Sequence, residues 1–328
     1  MKAIYVTEPS LFNDVYPQNV RSRITKLLGE EPAHYSAQEL IAHPETLEGV
    51  SIVFGSWGTP CFDEKLLAHA DKLEVILFAA GSVKSVVSDG FWSRGLRISS
   101  GAAANAVPVA EFALGEILLG LKRFFHHNRL YQKEGIFRQD PLPGLYRSHV
   151  GLISYGMIAK HLAKLLRAFD LTVHVYSPEL DGESAARDGL VYTPLDELFR
   201  VCDVVSVHTP LLPETVGMIG ENHVLSMKPA ATLINTARGA VLDEAGVVRA
   251  LKERPDVTAL LDVTATEPLP IGSELGKLPN VVLTPHIAGA CNSERGRVGS
   301  LMADELELYL KSGELRHEVT RQALAGLA

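Results

Sequence analysis

Short apolar runs rich in Val and Ile alternate along the chain with longer segments whose apolar residues recur three and four positions apart. A period of two alternating with a period near 3.6 is the mark of βαβ units, so the pattern predicts an α/β protein built on parallel sheets. In the first part of the chain, Ala3 to Val6, Ser51 to Gly55, Glu74 to Phe78 and Leu96 to Ser99 read as strands, with helical periodicity near 18–28, 63–70 and 82–88. A longer series follows, with strands at Val150 to Ser154, Thr172 to Tyr176, Val204 to His208, Thr232 to Asn235, Thr258 to Asp262 and Val281 to Thr284.

Between the two series, 108–126 opens with Pro108 at a first helical position and sets Ala110, Leu114, Ile117, Leu118 and Leu121 on one face, which predicts a long connecting helix. The stretch 132–149, with Gly135, Pro141, Pro143 and Gly144, has no periodicity and reads as irregular. Val298, Leu301, Met302, Glu305 and Tyr309 mark the inner face of a last helix that returns to the first unit. The expected organisation is two Rossmann-like domains with parallel sheets and a cleft between them: residues 1–103 completed by 292–328, and residues 104–291.

Composition narrows the class. At 328 residues with 46% hydrophobic and 21% charged positions, the chain has the balance of a soluble globular protein. Its net charge of −8 has the wrong sign for a protein that binds phosphate backbones, so no nucleic-acid partner is expected. Cys61, Cys202 and Cys291 lie far apart without a CxxC pair, which predicts neither a disulfide framework nor a metal site and fits a cytoplasmic location. The most apolar segment, 106–121, is interrupted by Glu111 and Glu116, and no membrane partner is expected.

The strand–turn–helix VGLISYGMIAKHLAKLLRAF at 150–169 is where a dinucleotide fold places GxGxxG, so that the backbone and a helix N-terminus can approach a pyrophosphate. Here the three positions are Ser154, Gly156 and Ala159, and the serine departs from the pattern. At the end of the next strand, where an acid ordinarily holds the ribose hydroxyls, stands Ser177. From 177 to 186 there is no Lys or Arg to neutralise an extra phosphate, and Glu179, Asp181 and Glu183 would repel one. The expected cofactor is therefore NAD, with NADP not excluded.

Three strand-end loops carry polar residues that packing does not require: Arg238 in INTARGAVLDE, Glu267 in LLDVTATEPLP and His286 in LTPHIAGA. An arginine grips a carboxylate in a bidentate fork, a histidine exchanges a proton near neutral pH, and a glutamate orients that histidine and holds its charge. With HTPLLPETVGMIG ahead of them, these phrases span 208–289 in an order and spacing that resemble the D-isomer-specific 2-hydroxyacid dehydrogenase family, and VPVAEFAL at 107–114 extends the likeness.

The resemblance implies hydride transfer between a nicotinamide and a small 2-hydroxy or 2-keto acid, as in D-2-hydroxyacid dehydrogenases and glyoxylate/hydroxypyruvate reductases. It gives Arg238 the substrate, His286 the acid/base role and Glu267 its support. Cofactor contacts fall to Ser154, Gly156, Met157, Ile158, Ser177, Thr209, Thr236, Ala237, Asp262 near the nicotinamide amide, Ala288 and Gly289. The family's glycine-rich substrate loop is altered to AAGSVKSVV, leaving Gly81, Ser82 and Val83 as the expected carboxylate-binding backbone. A homodimer through the connecting helix is also implied. The alternative within the same fold is an NAD-sensing, non-catalytic corepressor-like binding protein. A hydrolase triad of Ser154, Asp262 and His286 is disfavoured, because Leu152 stands where a nucleophile elbow needs a small residue.

Overall fold

The computed structural model describes residues 1–324 and divides into two units, Met1–Ala106 with the chain from Ala290 onward, and Val107–Gly289. In the first, β1 (Lys2–Val6), β2 (Ala33–Tyr35), β3 (Val50–Gly55), β4 (Val75–Phe78) and β5 (Arg97–Ser100) form a sheet in the order β2-β1-β3-β4-β5. Every neighbouring pair is parallel. All six residues of β3 are buried, as befits a strand covered on both faces. The helix Arg295–Ser312 covers one face through Val298, Met302, Ala303 and Leu306. It comes so close to the chain at Val15 that a Cβ on Gly299 would lie 1.8 Å from the Val15 carbonyl oxygen.

The second unit holds β6 (His149–Ile153), β7 (Thr172–Tyr176), β8 (Val191–Tyr192), β9 (Val204–Val207), β10 (Thr232–Asn235), β11 (Thr258–Leu261) and β12 (Val281–Leu283). Their order, β12-β11-β10-β9-β6-β7-β8, is that of a doubly wound sheet and places the reversal between β6 and β9. All these pairs are parallel as well. Alternate residues enter two cores, Val205, Leu233 and Leu261 on one face and Val204, Ile234 and Leu260 on the other. The edge strands β2 and β8, three and two residues long, are too short to register as a period of two in the sequence.

Three sequence expectations need correction. Residues 82–88 form no helix: the Val86 N–H and Val87 N–H return to the Val83 carbonyl in a turn, and the helix Asp89–Ser93 starts only where the Ser88 hydroxyl accepts the Phe91 N–H. The valine-rich stretch favours extended backbone, and Ser88 supplies the cap. The connecting helix runs Ala102–Leu121, so Pro108 lies inside it. Its alanine-rich first turns have the propensity to begin early, with the Ala102 N–H taken by the Ser100 hydroxyl. A second helix, Phe124–Glu134, follows Arg123, which breaks the first at φ 47°, and the irregular stretch begins only after Gly135.

By length and hydropathy the connecting helix would suffice to cross a membrane. Its Ala110, Ala113, Ile117 and Leu121 are buried against the second sheet.

Candidate active site

The carboxyl ends of β6 to β12 bring the sequence-derived residues of the second unit to one edge. At the end of β6, Ser154 takes φ 75°, a left-handed conformation that suits glycine, and donates its N–H to the Tyr176 carbonyl at 2.7 Å. Gly156 then caps the helix Met157–Leu166 with no side-chain acceptor, so the first N–H groups of that helix are unspent. A Cβ on Gly156 would meet nothing within 4 Å, and Met157 is 48% exposed, while Ile158 packs partly on the core. Ser177 is buried at the end of β7 and its carbonyl accepts the Leu180 N–H. Glu179, Asp181 and Glu183 are exposed, and Asp181 caps the helix Gly182–Arg187 by accepting the Ser184 N–H. That bond holds the Asp181 carboxyl below its usual range.

The Thr209 hydroxyl, after β9, points back to the Ile153 carbonyl. After β10, Asn235 ties the turn at both ends: its amide NH2 donates to the Arg238 carbonyl and its side-chain oxygen accepts the Ala237 N–H, both at 3.0 Å. This places the half-buried Arg238 just beyond buried Thr236 and Ala237. Gly239 allows the neighbouring loop to press in, since a Cβ there would lie 1.9 Å from the Thr264 carbonyl carbon.

That loop leads to Glu267. One Glu267 oxygen accepts the Thr264 N–H at 3.2 Å and the other meets His286 Nδ1 at 2.8 Å. Because a carboxylate only accepts, Nδ1 is the protonated ring nitrogen of neutral His286 and Nε2 is left free. The two side chains are 49% and 40% exposed, open enough to meet a ligand.

Asp262, 1% exposed, organises the turn that carries the histidine. Its carboxylate accepts the Thr284 hydroxyl at 2.6 Å and the Ile287 and Ala288 N–H groups at 2.8 Å each, and its carbonyl accepts the His286 N–H. Gly289 ends this turn and the unit. Arg238, Glu267 and His286 therefore share one edge, linked by the Gly239–Thr264 approach and the Asp262 anchor.

In the first unit, Gly81, Ser82 and Val83 follow β4. The Ser100 hydroxyl donates to the Gly81 carbonyl at 2.6 Å, and no acceptor among the described residues takes the Ser82 or Val83 N–H. The Val83 side chain is buried in the core, so only its backbone can face a ligand. Trp57 packs partly on both core clusters of this unit, with the Arg295 guanidinium 5.8 Å from its ring centre.

Sequence reasoning passed over Asn235, Thr284 and Glu244, whose carboxylate accepts the Ala265 N–H. Their signal was weak, since each is a polar residue beside a recognised one and acts on backbone that only the fold brings near. Two buried atoms on this edge have no partner among the described residues, His208 Nδ1 and Thr236 Oγ1. The uncapped helix start and the open Cβ space at Gly156 fit a bound dinucleotide, whose negative charge would meet the unspent N–H groups.

A model of the D-isomer specific 2-hydroxyacid dehydrogenase NAD binding domain matches residues 115–288. The chain is 34% identical over 264 residues to a glyoxylate reductase of Thermococcus litoralis, covering 77% of this chain and 78% of that protein. It is 28% identical over 296 residues to the D-3-phosphoglycerate dehydrogenase of Homo sapiens, covering 90% of this chain but only 54% of that protein, so it spans about half the length of that relative. The structure of an NAD-complexed D-isomer specific 2-hydroxyacid dehydrogenase from Lactobacillus delbrueckii ssp. bulgaricus superposes with a TM-score of 0.81 at 23% identity, over 97% of this chain and 100% of that one. The matched domain is an NAD-binding one, and NAD is the cofactor.

Proposed function

Because the chain belongs to the D-isomer specific 2-hydroxyacid dehydrogenase family, we propose that it interconverts a small 2-keto acid and the corresponding 2-hydroxy acid. The observation that carries this reading is the His286–Glu267 pair at 2.8 Å on the edge that also carries Arg238. When bound, the nicotinamide supplies or accepts the hydride. The protein's share is the proton and the charge. In reduction, imidazolium His286 gives the Nε2 proton to the oxygen that is becoming an alkoxide, while Glu267 at Nδ1 stabilises the positive ring beforehand and orients it throughout. In oxidation, neutral His286 takes the hydroxyl proton through the same nitrogen. Arg238 grips the carboxylate and polarises the neighbouring carbonyl through donors that a lysine cannot arrange.

The unspent N–H groups at Met157 and Ile158 and the turn at Ser154 and Gly156 suit the pyrophosphate, and Ser177 lies at the adenosine end. Thr209, Thr236, Ala237, Asp262, Ala288 and Gly289 suit the nicotinamide half. The exposed acids at 179, 181 and 183 favour NADH over NADPH. Exposed Leu119, Phe124, Tyr131, Phe137 and Tyr146 on and after the connecting helix support pairing of two chains there. The test is a panel of glyoxylate, hydroxypyruvate and phenylpyruvate, each with NADH and with NADPH. Turnover of at least one acid, faster with NADH, is expected. Tight NADH binding without turnover of any acid would favour the non-catalytic binding protein instead.

A further inference from the structure

The strand register aligns a row of polar residues across the second sheet that the proposed chemistry only partly uses. Ile234 of β10 pairs with Ser206 and Leu260, Asn235 pairs with Val207 and Leu261, and Leu261 pairs with Leu283. One residue further on, Thr236 stands beside His208 and Asp262, and Asp262 beside Thr284. The Asp262 N–H to Asn235 carbonyl and Thr284 N–H to Leu261 carbonyl bonds show that the ladder continues to this level. The row has the same parity as Val204, Ile234 and Leu260, and these pack with Ala110, Ala113, Ile117 and Leu121 of the connecting helix. His208, Thr236 and Asp262 therefore lie on the face that this helix covers.

Glu116 comes down on this face from the helix. It sits next to buried Ile117, and one turn on, a Cβ added at Gly120 would touch the Thr232 side chain at 3.0 Å, so the helix lies tight against β10. Glu116 Oε2, like His208 Nδ1 and Thr236 Oγ1, is shut off from solvent and has no partner among the described residues. Three orphaned polar atoms on one covered face are unusual, since buried polar groups are nearly always paired. The other positions of β6, β9, β10 and β11 that face the helix are apolar or neutral: Val150, Leu152, Val204, Ser206, Thr232, Ile234 and Leu260. The charge acting on Glu116 is that of Asp262.

We propose that Glu116 is a positioning residue for the nicotinamide half of the site: its carboxyl group completes the polar row of His208, Thr236 and Asp262, and so keeps the Asp262 anchor of the His286 turn intact. Burial, and then the Asp262 charge, push the Glu116 carboxyl up to about 8, so it carries its proton at neutral pH. Burial pushes His208 down to about 4, so the row faces Glu116 with a neutral imidazole, whose Nε2 meets the Ser206 hydroxyl at 3.0 Å. Once ionised, Glu116 sets a second negative charge against Asp262 and competes for the donors that hold residues 284–288.

This inference rests on the proposed use of the edge for NADH, and its test separates the two. Infrared difference spectra of the intact protein should show a protonated-carboxyl band at pH 7 that is missing in Glu116→Gln and fades in the natural chain as pH rises through about 8. NADH titrated by fluorescence should bind about threefold or more weakly at pH 9.5 than at pH 7 in the natural chain, and equally at both in Glu116→Gln. Glu116→Leu, which fills space but offers no polar partner, should bind more weakly than the Gln variant at pH 7. The same pH course in the natural and Gln proteins, no Glu116-dependent band, or equal binding by the Leu and Gln variants would overturn the proposal. Absence of NADH binding in the natural chain at every pH would overturn the functional reading as well.

Discussion

Around β6 and β7, the carboxyl edge of the second sheet is held mainly by backbone, through the Ser154 N–H to Tyr176 carbonyl and Leu180 N–H to Ser177 carbonyl bonds, with the Tyr155 hydroxyl to Asp188 and the Thr209 hydroxyl to the Ile153 carbonyl as side-chain ties. From β9 to β12 the same edge is tied by side chains: Asn235 grips both ends of the Arg238 turn, Asp262 accepts three donors, and Glu267 joins its own loop to His286. The difference suits the proposed tasks. A pyrophosphate asks for N–H groups and little else, whereas proton transfer asks for atoms held to within about half an ångström. Departures from the usual sequence, Ser154 and Ser177, fall in the half that can tolerate them.

Substitutions can sharpen or break this contrast. The largest effect is expected in the side-chain-held half, where His286→Gln should lower kcat/KM for keto-acid reduction by about 1000-fold while leaving the NADH dissociation constant within about twofold. A variant that keeps most of its activity would place the proton donor elsewhere. Next comes Arg238→Lys, which keeps the charge and loses the fork, with an expected loss on the order of 100-fold, or about 3 kcal/mol of transition-state stabilisation. Near-natural efficiency on every active acid would remove Arg238 from the substrate.

A comparable energy resides in Glu116 but appears as stability. Unfolding returns its carboxyl from about 8 to 4.5, so the unfolded chain binds fewer protons between those values and stability falls as pH rises through that window. By pH 7 the loss is on the order of 3 kcal/mol. Glu116→Leu should abolish that part of the decline, and urea unfolding at pH 5 and pH 7 would reveal it as a gain present only at the higher pH. His208 works in the opposite sense: its folded value of about 4 lies below 6.5, so its contribution is present above 6.5 and is lost as pH falls toward 4.

The smallest effect belongs to the backbone-held half. Ser154→Gly removes an L-residue from φ 75° and should stabilise the fold by about 0.5–1 kcal/mol after the extra freedom of unfolded glycine is subtracted, with kcat unchanged. A fall in stability, measured by urea unfolding, would mean that the serine is held there by something other than backbone.

How far the sequence could be read also divides along this line. Buried strands such as VSIVFG and TLIN announce themselves by composition, and the phrases around Arg238, Glu267 and His286 carry their chemistry in residue type. The two- and three-residue edge strands do not, because too few positions exist to show a period. The start of the connecting helix eludes the sequence pattern because Pro108 suits a first turn, while the alanines before it settle the matter only through propensity summed over several residues. By sequence, Glu116 reads as an interruption in an apolar run. Its raised carboxyl answers to burial and to the charge of Asp262, more than a hundred positions away, which no local pattern reports.

Because His208, Thr236, Asp262 and Thr284 share parity with the core residues beneath them, a slip of one residue in a single strand would exchange its two core faces and remove its member of the row in the same step. Misfolding at this edge should therefore be quantal: each molecule is either fully competent or inert, with no graded series of impaired forms. Specific activity then counts correctly folded chains, and a preparation that has lost half its activity should resolve into two populations, one of them retaining the natural KM.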